Sequence, residues 1–223
     1  MKVKNRPMVS IILCTYNRAA LLPKAIRSVL RQTTTQWELI VIDDGSTDDT
    51  ASIVHHFQSK DKRILYHFQT NKGLAKGRNA GIHRSLGKFL CFIDSDDEFT
   101  PEHLELRILY FKNHPSIDFL HGGMKLVGPK KKQYVVDLTD TSKKIHLSKC
   151  HVGGTFFFRR TVLRFARTFR PIPFGEDFDF YQRVSFRCSI RKVRYPTYIY
   201  HLDSENRLCD IYTEKLLQES SEK

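Results

Sequence analysis

A chain of 223 residues, 40% hydrophobic and 12% aromatic, fits one α/β domain large enough to bury a core. No run approaches the ~18 apolar residues of a membrane span, and the apolar stretch after the basic start Met1–Arg6 stops too soon, at Thr15-Tyr16-Asn17-Arg18, for a signal peptide. The five cysteines are odd in number and form no C-x-x-C pair, which argues against a disulfide framework or a zinc cluster and makes a reducing cytoplasm the expected location.

In chain order, Val9–Leu13 reads as a buried strand, and Leu21, Leu22, Ala25, Ile26, Val29 and Leu30 recur at helical spacing. Trp37–Ile42 is a second apolar strand. Ser46 and Asp49 spell an S-x-x-D capping box ahead of a helix carrying Ile53, Val54 and Phe57. Ile64–Phe68 is a third strand, and a helix through Arg78, Asn79 and Ile82 follows it. Gly73, Gly77 and Gly81 recur every four residues there, a spacing that suits close packing of helix on sheet. Phe89–Ile93 is a fourth strand, too short for a helix, and it ends abruptly in Asp94-Ser95-Asp96-Asp97. Thr100-Pro101 is a helix start, with Thr as N-cap and Pro at the first helical position; Leu104, Ile108 and Phe111 continue that helix. Strand and helix alternating four times imply βαβ units and a mostly parallel, Rossmann-like α/β sheet flanked by helices.

Beyond Ile117–Leu120 the pattern changes. Gly128–Lys132 reads as a turn between two short strands, Thr155–Phe158 as a strand, Gly175–Ser185 as a helix and Tyr195–Leu202 as an extended aromatic segment. Glu214–Lys223 is a polar helix or tail. Gly153-Gly154-Thr155 suits either an acceptor loop or a plain turn before a strand. His55, His56, His67, His83, His103 and His114 follow no ligand spacing and are expected at the surface.

The net charge is +13 and unevenly spread. Residues 1–111 carry 16 Lys and Arg against 12 Asp and Glu, and residues 112–223 carry 21 against 12. Nucleic acid, an anionic membrane surface and a phosphorylated substrate could each explain the excess, as could simple solubility. No nucleic-acid-binding motif accompanies it, so no nucleic acid is expected.

The acids are more specific. Carboxylates crowded at a strand's C-terminal end repel one another unless a cation sits among them, and in an open α/β sheet that end is where ligands bind. A divalent metal, Mn²⁺ or Mg²⁺, holding a phosphorylated substrate suits the group. Asp43-Asp44 closes the second strand, and parallel strands put both acidic ends on one side of the sheet, so they can share a crevice. Gly45 and Ser46 suit a tight turn with a helix cap, but turn chemistry needs only one Asp. There is no G-x-x-x-x-G-K-[ST] loop and no G-x-G-x-x-G after the first strand, so neither of those phosphate grips is available.

Val9–Arg18, Ile40–Asp48, Asn71–Gly81 and Phe92–Asp97 resemble, in order and spacing over residues 8–111, the successive signatures of family 2 glycosyltransferases of the GT-A fold. Phe174-Gly175-Glu176-Asp177 and Tyr198-Ile199-Tyr200-His201 with Ser204 extend the resemblance more loosely to about residue 203. It implies a single domain with a nucleotide-sugar half at about 8–115, an acceptor-side half at about 116–205 and a tail or helix at 206–223. It implies that Tyr16 stacks on the nucleobase with Thr15 and Asn17 beside it, and that Asp44 and Asp43 accept hydrogen bonds from a uracil-like base. Arg78, Ser95 and Glu176 would lie near the nucleotide-sugar. Asp96 would bind the metal, with Asp94 near the ribose or a metal-bound water, and His201 would help bind metal or diphosphate. Asp177 would be the general base. Chemistry asks for the same groups. The diphosphate leaving group gathers negative charge that a metal neutralises. The acceptor hydroxyl must lose a proton while attacking the opposite face, which inverts the anomeric centre.

The function expected is therefore transfer of a sugar from a nucleotide-sugar, UDP-linked, to a glycan or lipid-diphosphate acceptor in surface polysaccharide synthesis. Lys130-Lys131-Lys132 and the Arg159–Arg194 block would suit peripheral contact with an anionic membrane. Three alternatives stand beside it. A sugar-nucleotide pyrophosphorylase would need a glycine-rich basic loop where Thr15-Tyr16-Asn17-Arg18 stands. A basic nucleic-acid module rests on charge alone, and a catalytically dead relative should lack acids that this chain has.

Overall fold

The computed structural model describes residues 6–205 and 207–221, with side chains to residue 215. Strands β1 (Val9–Thr15), β2 (Trp37–Asp43), β3 (Ile64–Phe68) and β4 (Phe89–Asp94) alternate with helices α1 (Leu22–Leu30), α2 (Thr50–Lys60) and α3 (Leu74–Arg84). Then come β5 (Glu98–Phe99), α4 (His103–Asn113), β6 (Phe119–Val127), the hairpin β7 (Tyr134–Asp137) and β8 (Asp140–His146), β9 (Phe157–Arg159), α5 (Glu176–Ser185), β10 (Ile190–His201) and α6 (Leu208–Ser221). The segment from residue 206 onward, expected as tail or helix, is thus helical over most of its described length.

Eight strands form one sheet in the order β3-β2-β1-β4-β9-β6-β10-β5. The β1–β2, β2–β3, β1–β4 and β6–β10 pairs are parallel, while β9 runs antiparallel to both neighbours and β5 antiparallel to β10. The hairpin β7–β8 is a separate two-stranded sheet. β1 and β2 read as near-continuous apolar runs because helices cover both faces. On one face Val9, Ile11 and Leu13 join Leu22, Ile26 and Val29 of α1, Val54 of α2 and Leu104 of α4. On the other, Ile12, Leu90 and Phe92 meet Ala75 and Ile82 of α3 and Phe180 and Val184 of α5.

The glycines of α3 divide as the packing demands. A Cβ on Gly81 would overlap Ile12, and one on Gly77 would lie 3.2 Å from the Cys14 Sγ, so both keep the helix close to the sheet. Gly73 has nothing near it and is instead required by its φ of +84° at the helix start.

Two helix starts differ from the sequence reading. α2 begins at Thr50 without a capping box: the Ser46 hydroxyl accepts the Asn17 N–H at 2.9 Å, and the Thr50 N–H goes to Asp48 at 3.1 Å. α4 begins at His103, because Thr100–Glu102 form a turn closed by the His103 N–H on the Thr100 carbonyl at 3.1 Å. The strand expected from Thr155 is shortened to Phe157–Arg159 because Gly153–Thr155 wind into a 3₁₀ turn.

His103 also departs from the surface expectation. It is buried, stacked on Phe99 at 3.7 Å, with its Nδ1 3.1 Å from the Thr197 carbonyl. Beside it Arg107 is wholly buried and donates to the His103 and Gly122 carbonyls and the Thr197 hydroxyl. Burial pushes the His103 pKa well below the usual histidine range and the Arg107 pKa down to about 10. These bonds tie α4 to the register shift in β10 between Val193 and Tyr198. An apolar side chain at either position could not satisfy that irregular backbone.

Candidate active site

The strand order reverses between β1 and β4, and a crevice outside the C-terminal strand ends at such a point is where α/β sheets bind ligands. The register places the acids there: Thr15 pairs with Asp43, and Cys14 pairs with both Ile42 and Asp94. The two acidic strand ends do share one edge.

Each acid of the Asp43-Asp44 pair has structural partners, which corrects the expectation that turn chemistry leaves one unexplained. Asp43 accepts the Ser46 N–H at 2.8 Å and the Tyr66 hydroxyl at 2.7 Å. Asp44 accepts from Gln69 at 2.6 Å and from the Lys72 and Gly73 N–H groups at 2.9 and 2.8 Å, fastening the loop that starts α3. Asn17, at φ 50°, accepts the Thr47 N–H at 2.8 Å and so locks the β1 and β2 loops together. Tyr16 is 49% exposed at the rim, its ring open to a stacking partner. Thr15 is buried with its hydroxyl unpaired.

The turn after β4 is the most crowded part. Asp97 spends both oxygens: one accepts the Tyr198 hydroxyl at 2.7 Å, the other the His201 N–H at 2.8 Å. Tyr198, fully buried, also lies 3.3 Å from an Asp94 oxygen and accepts the Asp94 N–H at 3.3 Å. Burial and the neighbouring Asp94 charge push the Asp96 carboxyl above the usual range, while a Ser204 hydrogen bond opposes them. Burial, with Asp96 and Asp94, does the same to Asp97. Ser95 is buried within the turn.

The other half of the site comes from α5. Gly175, at φ +83°, turns the chain into the helix, so Glu176 and Asp177 stand in its first turn. Asp177 accepts the Gly153 N–H at 2.9 Å and its neighbour's N–H, from Phe178, at 2.8 Å. Burial and the Glu176 charge raise its pKa to about 6, against the lowering effect of Arg78. That value suits a group that must accept a proton near neutral pH.

Arg78 joins the two halves. It is buried on α3 between the Phe92 and Phe169 rings, with one guanidinium nitrogen 2.9 Å from Glu176 and another 3.4 Å from Asp94. Sequence reasoning placed it near the nucleotide; the structure makes it a bridge between the acids after β4 and those at the start of α5. The 3₁₀ turn Gly153–Thr155 completes the join. A Cβ on Gly153 would sit 2.8 Å from Arg78, and one on Gly154 would overlap the Tyr198 hydroxyl. Tyr198 and these glycine roles escaped the sequence reading. Their partners lie on other elements, and nothing in an alternating aromatic strand marks which tyrosine points inward.

Among the described residues no group of three or more His, Cys, Asp and Glu side chains is arranged to hold a metal ion. His201 is not brought into such a group with Asp94 and Asp96. Its ring lies 2.8 Å from Lys24 and 3.1 Å from Glu98, and its backbone rather than its ring reaches the acidic turn. Asp94 and Asp96 remain as two hard oxygen donors in a crowded negative turn. That pair fits a divalent cation that takes its other ligands from phosphate and water.

The sequence model of glycosyl transferase family 2 matches residues 10–167. An uncharacterized glycosyltransferase of Haemophilus influenzae is 38% identical over 154 residues, covering 68% of this chain and 60% of that protein. The Escherichia coli UDP-Glc:alpha-D-GlcNAc-diphosphoundecaprenol beta-1,3-glucosyltransferase WfgD is 34% identical over 160 residues, 70% of this chain and 62% of WfgD. Among solved structures, Staphylococcus aureus TarS in complex with UDP-GlcNAc superposes with a TM-score of 0.75 at 24% identity, over 91% of this chain and 60% of the TarS chain. The chain spans only 15–21% of the length of three rickettsial glycosyltransferases it also matches. The TarS likeness reproduces the GT-A sheet, and the family match runs from the first strand through both acidic strand ends, so the chain belongs to glycosyl transferase family 2.

Proposed function

We propose that this chain transfers a sugar, with inversion, from a UDP-sugar to a glycan or lipid-diphosphate acceptor in cell-envelope polysaccharide synthesis. The observation that carries the proposal is the bridge by which Arg78 spans Asp94, at the end of β4, and Glu176, next to Asp177. WfgD, by its name, uses UDP-Glc and an acceptor on diphosphoundecaprenol, and TarS is solved with UDP-GlcNAc, which supports the donor and acceptor classes. No specific observation favours a pyrophosphorylase or a nucleic-acid module.

In this reading Tyr16 offers its exposed ring to the base, with Thr15 and Asn17 around it, and Asp43 and Asp44 shape the base pocket. Asp96 and Asp94 would hold Mn²⁺ or Mg²⁺, with His201 beside the diphosphate. The cation, when bound, supplies positive charge at the departing diphosphate. Asp177, held by the Gly153 and Phe178 N–H groups, takes the proton from the acceptor hydroxyl as it attacks. Glu176 keeps Arg78 from neutralising the base fully, so the carboxylate stays basic enough to act.

No helix among the described residues is long and apolar enough to cross a membrane. Contact with an anionic membrane is therefore proposed as peripheral, at its cytoplasmic face. The decisive experiment is thermal unfolding with a panel of nucleotide-sugars, with and without Mn²⁺, followed by transfer assays with any stabilising donor. Metal-dependent stabilisation by UDP-sugars is expected; stabilisation by none of them would sink the donor assignment.

A further inference from the structure

We propose that the β7–β8 hairpin and the turn before it form the binding surface for a phosphate-bearing acceptor, gripped by Lys130, Lys131, Lys144 and Lys149. The inference rests on the transferase reading above and names the acceptor chemistry of that same site. Residues 125–149 hold seven lysines and two aspartates. Both aspartates are spent locally: Asp137 accepts the Thr139 N–H and hydroxyl, and Asp140 accepts from Ser142 and pairs with Lys143 at 2.6 Å. Lys132 pairs with Asp210 of α6 at 3.1 Å. Lys130, Lys131, Lys144 and Lys149 are exposed and have no carboxylate partner among the described residues.

Position decides what this charge can serve. The hairpin belongs to no other sheet, and its tip lies on the start of α5: a Cβ on Gly175 would overlap Leu138. Glu176 and Asp177 follow directly. At its other end the hairpin is tied to β10 by the Lys192 ammonium on the Ser148 carbonyl at 2.7 Å, next to Lys149. An acceptor whose hydroxyl reaches Asp177 therefore lies alongside the hairpin, within reach of flexible lysine stems. Lysine ammonium groups are compact charges suited to phosphate oxygens, and their pull fades over about a Debye length, ~8–10 Å.

The arginine-rich block is placed differently. Arg159 pairs in register with Phe89 at the start of β4, Arg160 donates to the Gly87 carbonyl, and Ser189 is bonded to Asp118 just ahead of β6. The exposed Arg164, Arg167, Arg187 and Arg191 flank those strand starts, at the sheet edge opposite the crevice. The excess of positive charge is thus two surfaces, and only the lysine surface borders the base.

The test compares two variants of the full chain, Lys130/Lys131/Lys144/Lys149→Gln and Arg164/Arg167/Arg187/Arg191→Gln. With UDP and Mn²⁺ saturating the donor side, binding of a short-chain prenyl diphosphate bearing one N-acetylglucosamine is measured across a salt series. Binding to phosphatidylcholine vesicles, with or without phosphatidylglycerol, is measured beside it. The lysine variant should bind the soluble diphosphate about tenfold more weakly, or worse, with a flatter salt dependence, while UDP affinity is unchanged and the arginine variant matches wild type. Wild-type binding by the lysine variant, or equal losses in both variants, would overturn the proposal. So would loss of vesicle binding with the soluble diphosphate retained, which would assign the lysines to lipid headgroups instead. Failure of the wild type to bind UDP at all would overturn the transferase reading, a separate readout.

Discussion

The acidic end of β2 and the start of α5 hold their carboxylates by different means. At the end of β2, Asp43 and Asp44 are fastened by backbone N–H groups and by the Tyr66 and Gln69 side chains. Every one of those partners lies between residues 46 and 73. At the start of α5 Glu176 depends on Arg78, 98 residues away, and the turn after β4 has the same reach, with Asp97 accepting from Tyr198 101 residues on. The end of β2 is a self-contained scaffold. The turn after β4 and the start of α5 come together only where β10 and α5 pack against α3 and β4. Substitutions on the donor side should therefore act through ligand binding, and those on the acceptor side through alignment and proton transfer.

The largest expected effect tests the donor side. Asp96→Asn should abolish both Mn²⁺-dependent UDP binding, read by calorimetry, and turnover; full activity in this variant would remove Asp96 as a metal ligand. Next comes Asp177→Asn, which should cut transfer by ~10²–10⁴-fold while leaving UDP binding as it was. The same variant carries a stability signature. Because burial raises the Asp177 pKa to about 6, its protonated form favours the fold. That contribution is full below the ordinary carboxylate range and is lost as pH rises through 6. Asp177→Asn should therefore flatten the fall of Tm as pH rises through 6; a fall of wild-type size in the variant would contradict the assignment.

Gly154→Ala tests the join itself. The added methyl overlaps the Tyr198 hydroxyl and must displace it from Asp94 and Asp97, at a cost of about 1–3 kcal/mol by denaturant unfolding. Unchanged stability would mean that the turn moves freely. The smallest effect expected is a shift of the pH profile in Glu176→Gln. After burial, the Glu176 charge is the main cause that raises the Asp177 pKa, so its removal should move the acid limb of kcat to lower pH. A limb that stays in place would show that the two carboxylates are not coupled.

Much of the donor half was legible because its signals are local. Apolar runs ending in acids named the strands and the crevice, and the Cys14–Asp94 register confirms that the acids share an edge. What failed there was capping chemistry. Ser46 has the right spacing for a box but is drawn to Asn17 on another loop, a competition invisible in a window of four residues. In the acceptor half Glu176-Asp177 stood out only against the upstream motifs. Tyr198 was named only within its motif and given no role, since its partners Asp94 and Asp97 lie 104 and 101 residues away. His103 was expected at the surface and Arg107 drew no reading, since an irregular stretch of β10 creates the groups that they serve. The basic second half looked like one surface in sequence because charge counts carry no direction; strand polarity splits it.

The Arg78 bridge bears on how such a chain can be recombined. A chimera cut near residue 115, meant to exchange acceptor preference while keeping the donor module, would separate Arg78 from Glu176 and from the room that Gly153 leaves for it. An incoming segment without a carboxylate at 176, or with a side chain at 153, would strand a buried guanidinium. The two modules are interchangeable only as a matched set, with positions 78, 153 and 176 as the coupling that any swap has to preserve.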